Sequence, residues 1–237
     1  MNIIVNIQAR MSSSRLFGKV LMDVKGRPLL SYLVDSIRQC ANIDGLVVAT
    51  SNQSEDDAIE EFCRNLKVNC FRGDLENTAN RLLKSAVSKN CEAIVRVNGD
   101  SPLMDYRLID KGSQLMRSGR WDLVTNTQPR TFPHGMSVEV IRTSALENAE
   151  KHMSVAYQRE HVTPYFYDHS QEFRIRSFTS MIDFGHLNFC VDTEQDLIRI
   201  SAIAAQPEPS IVHTCCQPDG YIPEGHLALT KHRDCPE

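Results

Sequence analysis

The sequence of 237 residues predicts an α/β fold built on a mainly parallel sheet flanked by helices. Three observations carry that expectation. Short, nearly all apolar segments such as IIVNI (Ile3 to Ile7), GLVVAT (Gly45 to Thr50) and AIVRV (Ala93 to Val97) read as strands buried on both faces. Amphipathic helical stretches separate them, the pattern of βαβ units. Three of the apolar runs end in charged or acidic loops, and in such sheets ligands bind beyond the carboxyl ends of the strands.

After the first strand, Pro28 to Cys40 places Leu29, Leu33, Val34 and Ile37 on one helical face, with Pro28 in a first-turn position. Ser54-Glu55-Asp56-Asp57 follows the second strand and reads as a helix start, its acidic residues favoured by the helix dipole. Val68 to Phe71 is a short strand, Asn77 to Lys89 a helix, Tyr106 to Met116 a helix and Trp121 to Thr125 a strand. The pattern then changes. Residues 128–186 mix Pro133, Gly135, the strand-like MSVEVI (Met136 to Ile141), a helix through Ala145 to Lys151 and a second near Val155 to Tyr167. They read as a small α+β insertion or flap on the same domain. Leu187 to Val191 returns to a strand, and Thr193 to Ala205 to a helix with Thr193 as N-cap. One domain is expected over 1–205 and an irregular tail over 206–237. Cys215, Cys216, His226, His232 and Cys235 of that tail match no structural zinc spacing.

Composition narrows the function. A net charge of −4 and a pI near 6.1 argue against nucleic acid as a partner and leave small anions, which need only a local basic cluster. No apolar run approaches the ~20 residues that span a bilayer, and the N-terminus lacks the features of a signal peptide. No membrane partner and a cytoplasmic location are therefore expected. The eight cysteines form no CxxC pair and are expected to be reduced and buried.

The chemistry is expected in three strand-end loops. The first, QARMSSSRLFGK, follows the first strand and concentrates Arg10, Ser13, Arg15 and Lys19 in an acidic chain. Backbone N–H groups and hydroxyls there suit a phosphate chain, with Arg10 and Lys19 neutralising charge. It lacks the spacing of a P-loop and of the dinucleotide fingerprint, so ATP hydrolysis and nicotinamide chemistry are poorly supported. A solvated basic loop is the alternative. The second loop, VRVNGDSPLMD, puts Asp100 directly after a strand beside Gly99, while Asp105 has a simpler use as an N-cap. The third, FCVDTEQDL, ends another apolar run in Asp192. Two aspartates at strand ends are suited to share Mg²⁺; the alternative for Asp192 is a helix cap.

Together these segments resemble the cytidylyltransferases that activate acidic sugars as CMP-sugars. The nearest subgroup is the spore coat polysaccharide biosynthesis type, with the CMP-Kdo and CMP-acylneuraminate synthetases more distant. The resemblance rests on IQARMSSSRLFGKVL with GRPLL, VVATSNQSEDDAI, FRGDLENTANRL, VRVNGDSPLMD, FPHGMSVEV, REHVTPYFY and VDTEQDL, in the family's order. It implies a single nucleotidyltransferase domain of the Rossmann-like, GT-A-like kind, using CTP as co-substrate, Mg²⁺ as cofactor and an acidic sugar as acceptor. It also implies a homodimer. Gln8, Ala9, Arg10 and Met11 match the family's loop against base and phosphates, and Ser13, Arg15 and Lys19 its triphosphate side. Asn98 stands where relatives have a glutamine near the nucleotide. Asp100 and Asp192 match the two metal aspartates, Arg81 an arginine expected near cytidine, and Arg72 with Gly73 a short strand-end motif. His134, Glu139, Arg159, Glu160 and His161 fall in motifs on the acceptor side. Phe17 replaces a proline and Asn80 replaces an acid. The implied reaction is attack of a sugar hydroxyl on the α-phosphorus with loss of pyrophosphate. The rivals are a same-fold nucleotidyltransferase acting on a sugar phosphate or a non-sugar acceptor, and a nucleotide-binding protein without catalysis.

Overall fold

Strands that are apolar on both faces need cover on both faces, and the architecture supplies it. The computed structural model describes residues 1–204. Strand β1 is Ile3–Gln8. A 3₁₀ turn, Lys19–Leu21, leads to a small hairpin of β2 (Asp23–Val24) and β3 (Arg27–Pro28), and then to helix α1 (Leu29–Ile37). Next come β4 (Gly45–Ser51), α2 (Asp57–Asn65), β5 (Asn69–Gly73), α3 (Thr78–Ser88) and β6 (Ala93–Asn98). Helix α4 (Tyr106–Ser118) is capped by Asp105, as its simplest reading required. The remaining elements are β7 (Leu123–Thr125), β8 (Glu139–Arg142), α5 (Thr143–His152), α6 (Ala156–His161), α7 (Pro164–Asp168), β9 (Ile175–Ser177) and α8 (Glu194–Ala204).

Seven strands form the central sheet in the order β5-β4-β1-β6-β8-β7-β9. β5, β4, β1 and β6 run parallel, β8 is antiparallel to both its neighbours, and β9 is parallel to β7. The sheet is thus mainly parallel, as the apolar runs predicted. Along β1 the pleat sends Ile3, Val5 and Ile7 to one face, against Leu29, Leu33 and Ile37 of α1. Ile4 goes to the other, against Leu82 of α3, in the cluster that also holds Leu146 of α5 and Phe166 of α7. Burying each such side chain contributes roughly 1.5–3 kcal/mol, so β1 is fixed from both sides. Asn6 shares the α3 face and is kept there by the Ser85 hydroxyl, 2.9 Å from its Oδ1.

Three sequence expectations are modified. The 128–186 segment is α+β, but its strands are not set apart: β8 fills the gap between β6 and β7, and β9 closes the sheet edge. The helix expected near Val155 to Tyr167 is two short helices, because Val162 takes a positive φ of 67° and Pro164 starts the second. Leu187 to Val191 is extended but not a sheet strand. Leu187, Phe189 and Val191 are fully buried, while the backbone pairs with loops: His134 N–H to Leu187 O at 2.9 Å, and Val191 N–H to Asp100 O at 2.9 Å. Apolar alternation reports burial, and here burial comes without a ladder. The tail expected over 206–237 lies outside the described residues. Among those described, no helix is long and apolar enough to cross a membrane.

Candidate active site

The cleft begins where β1 and β6 end side by side, with Gln8 opposite Asn98. The Gly99 N–H donates to Gln8 O at 2.8 Å, and a Cβ on Gly99 would stand 3.0 Å from the Ala9 Cβ and 3.1 Å from Gln8 O. Any larger residue would push the two loops apart by a few tenths of an ångström. The Val191–Asp100 backbone bond then brings Asp192 beside Asp100. Thr193, not Asp192, serves the α8 N-terminus. Its hydroxyl accepts from Asp196 N–H at 3.2 Å, and the Asp196 carboxylate accepts the N–H groups of Asp192 and Thr193. The Asp192 side chain is left to the cleft.

Both carboxylates converge on one cation. Lys19 Nζ lies 2.7 Å from Asp100 Oδ2 and 2.7 Å from Asp192 Oδ1, and Arg15 reaches Asp192 Oδ2 at 3.2 Å. Lys19 is only 8% exposed. Burial alone would lower its pKa, but the two carboxylates outweigh that and hold it above its ordinary value. Two carboxylates side by side are the donor type a divalent cation takes, completing its shell with water and phosphate oxygens; here the Lys19 ammonium holds the point between them. Among the described residues no cluster of three or more His, Cys, Asp or Glu forms a metal site, so protein donors alone would make an incomplete shell.

Around this centre lies a cleft of about 410 Å³. Gln8, Ala9, Arg10, Ser13, Arg15 and Lys19 line it from the β1 loop, Asn98 and Asp100 from the β6 end, and Asp192 from the third loop. Glu160 and His161 of α6 close it, and Glu160 is ion-paired with Arg10 at 2.7 Å. Burial lowers the His161 pKa, aided by Arg96 and Arg10 against the pull of Glu160. Ser14 and Cys190 also line the cleft and were not singled out from the sequence.

Four expected residues are elsewhere. Met11 contributes its backbone: its N–H donates to Asp56 Oδ1 at 2.7 Å, and Asp56 Oδ2 accepts from Ser51 N–H, tying the β1 loop to the end of β4. Arg72 is spent on Asp57 at 2.5 Å, Glu60 at 2.8 Å and the carbonyls of Ser51 and Gln53. Arg81, 1% exposed, donates to the carbonyls of Asp74 and Leu75 and to Thr78 Oγ1, shaping the loop before α3. Its Nε has no hydrogen-bond partner among the described residues, and burial pushes its pKa down to about 10. Arg159 donates to Met153 O at 3.2 Å and holds the α5–α6 connection. Of the two departures, Phe17 is 60% exposed and touches nothing that explains it. Asn80 has a reason: its Nδ2 donates to Glu150 at 3.0 Å, where an acid would meet a like charge.

Beside the first cleft a second opening of about 480 Å³ shares Arg96, Asn98 and His161 with it. A chamber of about 140 Å³ adjoins both, sharing Arg96 and Asn98 with each. Glu139, 4% exposed, sits opposite Arg96 in the β6–β8 register and binds it at 2.6 Å. Tyr167 OH donates to the other Glu139 oxygen at 2.9 Å, and Arg96 Nε donates to Gln8 Oε1 at 3.2 Å. Glu139 therefore positions Arg96, which in turn orients the Gln8 amide. His134 faces the chamber, its pKa lowered by burial and by Arg130. Gly135, at φ +88°, lets the His134 backbone reach Leu187 and Phe189, since a Cβ there would stand 2.7 Å from the Phe189 carbonyl carbon. Arg96, Arg130 and Tyr167 were missed from the sequence. Arg96 left a signal, a charge inside an otherwise apolar strand, and Tyr167 ends the REHVTPYFY segment; Arg130 left none.

Comparison with known proteins bears on this geometry. The cytidylyltransferase family profile matches residues 4–207. The Bacillus subtilis spore coat polysaccharide biosynthesis protein SpsF is 31% identical, over 85% of this chain and 86% of its own. The 3-deoxy-manno-octulosonate cytidylyltransferase of Pelobacter propionicus is 25% identical, over 86% and 79%. A cytidylyltransferase structure from Leptospira borgpetersenii superposes with a TM-score of 0.89 at 26% identity, covering all of both chains. Sequence profile, relatives and superposed fold agree with a cleft of basic loop and strand-end carboxylates: the chain belongs to the cytidylyltransferase family.

Proposed function

We propose that the protein transfers CMP from CTP to an acidic sugar of the 3-deoxy-2-keto type and releases pyrophosphate. The observation that carries the reading is the convergence of Asp100 and Asp192 at Lys19, inside a cleft walled by Arg10, Ser13 and Arg15. In the reaction an acceptor hydroxyl oxygen forms a bond to the α-phosphorus and gives up its proton to solvent water. The bond from that phosphorus to the bridging oxygen breaks, and pyrophosphate leaves with the electron pair. Asp100 and Asp192 would hold Mg²⁺, which when bound neutralises phosphate oxygens and helps align them. Lys19, Arg10 and Arg15 stabilise charge on the leaving side, and each already sits beside a carboxylate it can exchange for phosphate. Gln8 and Asn98, at adjacent strand ends, fix the nucleotide between the loops. Chemistry of this kind asks for positioning and charge stabilisation more than for a covalent intermediate.

A thermal-shift comparison of CTP, UTP, GTP and ATP with Mg²⁺ tests the nucleotide. A ligand at 100 times its Kd adds about 2.7 kcal/mol of apparent stability. That corresponds to roughly 5–10 °C for a domain of this size. CTP is expected to give the largest shift; a larger shift with another nucleotide, or none with any, contradicts the reading.

A further inference from the structure

Helix α6 carries Glu160 and His161 to the cleft, yet its hold on the domain is slight. It rests against α3, and none of its six residues is buried. Among the described residues its side chains bond outward at three points. Arg159 reaches Met153 O at 3.2 Å, Gln158 reaches Asp168 at 3.5 Å, and Glu160 pairs with Arg10 at 2.7 Å. The first two partners flank α6 in the chain; Glu160 alone fastens it across the cleft. Both members of that ion pair are partly exposed, so it is readily given up.

The backbone at the C-terminal end of α6 is strained. Val162 has φ 67° and ψ −66°, and Thr163 N–H donates to His161 O at 2.8 Å around it. This is the γ-turn of the rare hand, centred on a β-branched residue. Such strain persists where the surroundings fix it, and the Val162 side chain is fully buried in the cluster of Leu146 and Phe166. That end is a fixed pivot. At the other end Met153 is buried, while Ser154 and Val155 are exposed.

Glu160 is also out of keeping with a phosphate cleft. Asp100 and Asp192 share Lys19, and Asp192 has Arg15 besides, whereas Glu160 has Arg10 alone. Once Arg10 turns to phosphate, Glu160 is left as a carboxylate facing a polyanion. We infer that α6 is a latch pivoting at Val162: Glu160 holds it across the cleft in the empty protein, and a nucleotide's phosphates release it by taking Arg10. A ligand shifts a conformational equilibrium only by binding one state better, and bound phosphate favours the state in which Glu160 lies apart. His161 moves with the helix, and it lines both the cleft and the second opening, so the nucleotide's arrival reshapes its neighbour. The inference rests on the nucleotide reading above and adds a moving part to it.

The test is hydrogen–deuterium exchange of the full-length protein, read on peptides covering 154–163, with CTP and with tripolyphosphate, which carries the charge without the base. Either ligand with Mg²⁺ is expected to speed exchange there on the order of 10-fold, while α1 stays unchanged. Glu160→Ala should exchange at the fast rate without ligand and gain nothing further from either. It should also bind CTP about 2- to 5-fold tighter, the range of an exposed ion pair no longer given up. Unchanged or slower exchange of 154–163 in the wild type with both ligands overturns the latch; if CTP is bound all the same, the nucleotide reading stands. Tighter CTP binding by Glu160→Ala with wild-type exchange makes Glu160 a repelling charge only, and also overturns it. Release by tripolyphosphate and another nucleotide but not by CTP overturns the cytidine reading and leaves the latch standing.

Discussion

The two halves of the cleft handle charge in opposite ways. On the side built by β1, β6 and the Asp192 loop, each cation that faces the cleft already has a carboxylate: Lys19 with Asp100 and Asp192, Arg15 with Asp192, Arg10 with Glu160. On the side built by β8 and the 127–137 loop, Glu139 neutralises Arg96 of β6, and Arg130 has a hydroxyl partner only. The difference teaches what each half is prepared for. Under the proposed reaction the first would exchange its internal partners for the phosphates of a nucleotide. The second leaves Arg130 with a hydroxyl partner in place of a carboxylate.

The comparison breaks most visibly at the aspartates. Asp192→Ala or Asp100→Ala is expected to reduce kcat for pyrophosphate release by about 1,000-fold or more, roughly 4 kcal/mol of lost transition-state stabilisation. Full Mg²⁺-dependent turnover in either variant would remove the shared-cation idea. Glu139→Gln comes next. It keeps an acceptor for Tyr167 but leaves Arg96 as a second uncompensated charge, at an expected cost of about 3 kcal/mol in urea denaturation. A loss under about 1 kcal/mol would mean that the cleft solvates Arg96 and that the halves differ less than their contacts suggest.

Lys19→Ala should lower kcat by about 100-fold with a smaller change in KM, because its contact strengthens as charge grows on the leaving group. A change confined to KM would make it a ground-state contact. The smallest effect is in pH. His134 and His161 both titrate below their unfolded value, so the unfolded chain binds more protons as pH falls through about 6.5, and stability is lost on the acid side. His161→Asn should flatten that decline between pH 7 and 5; an unchanged slope would contradict the lowered pKa.

What was legible in the sequence follows the same division. IIVNI, GLVVAT and AIVRV announce buried parallel strands because both faces are apolar, and Asp100 and Asp192 stand out because charges end such runs. The convergence of those aspartates on Lys19 was not legible, since it depends on Leu187 to Val191 docking on loops 134 and 100. The acceptor half was harder still. β8 enters the sheet antiparallel between β6 and β7, so the pairing of Glu139 with Arg96 is a register fact that no local pattern encodes. Arg72 and Arg81 show the converse: their motifs were recognisable, yet the structure uses both side chains to bind loop carbonyls rather than to line the cleft.

The most direct test of the account is pyrophosphate release by the wild-type protein, with each nucleoside triphosphate and Mg²⁺, offered 3-deoxy-2-keto sugar acids in one series and sugar phosphates in another. The account predicts turnover with CTP and the acids alone. Turnover with sugar phosphates, or with another nucleotide in place of CTP, would contradict it.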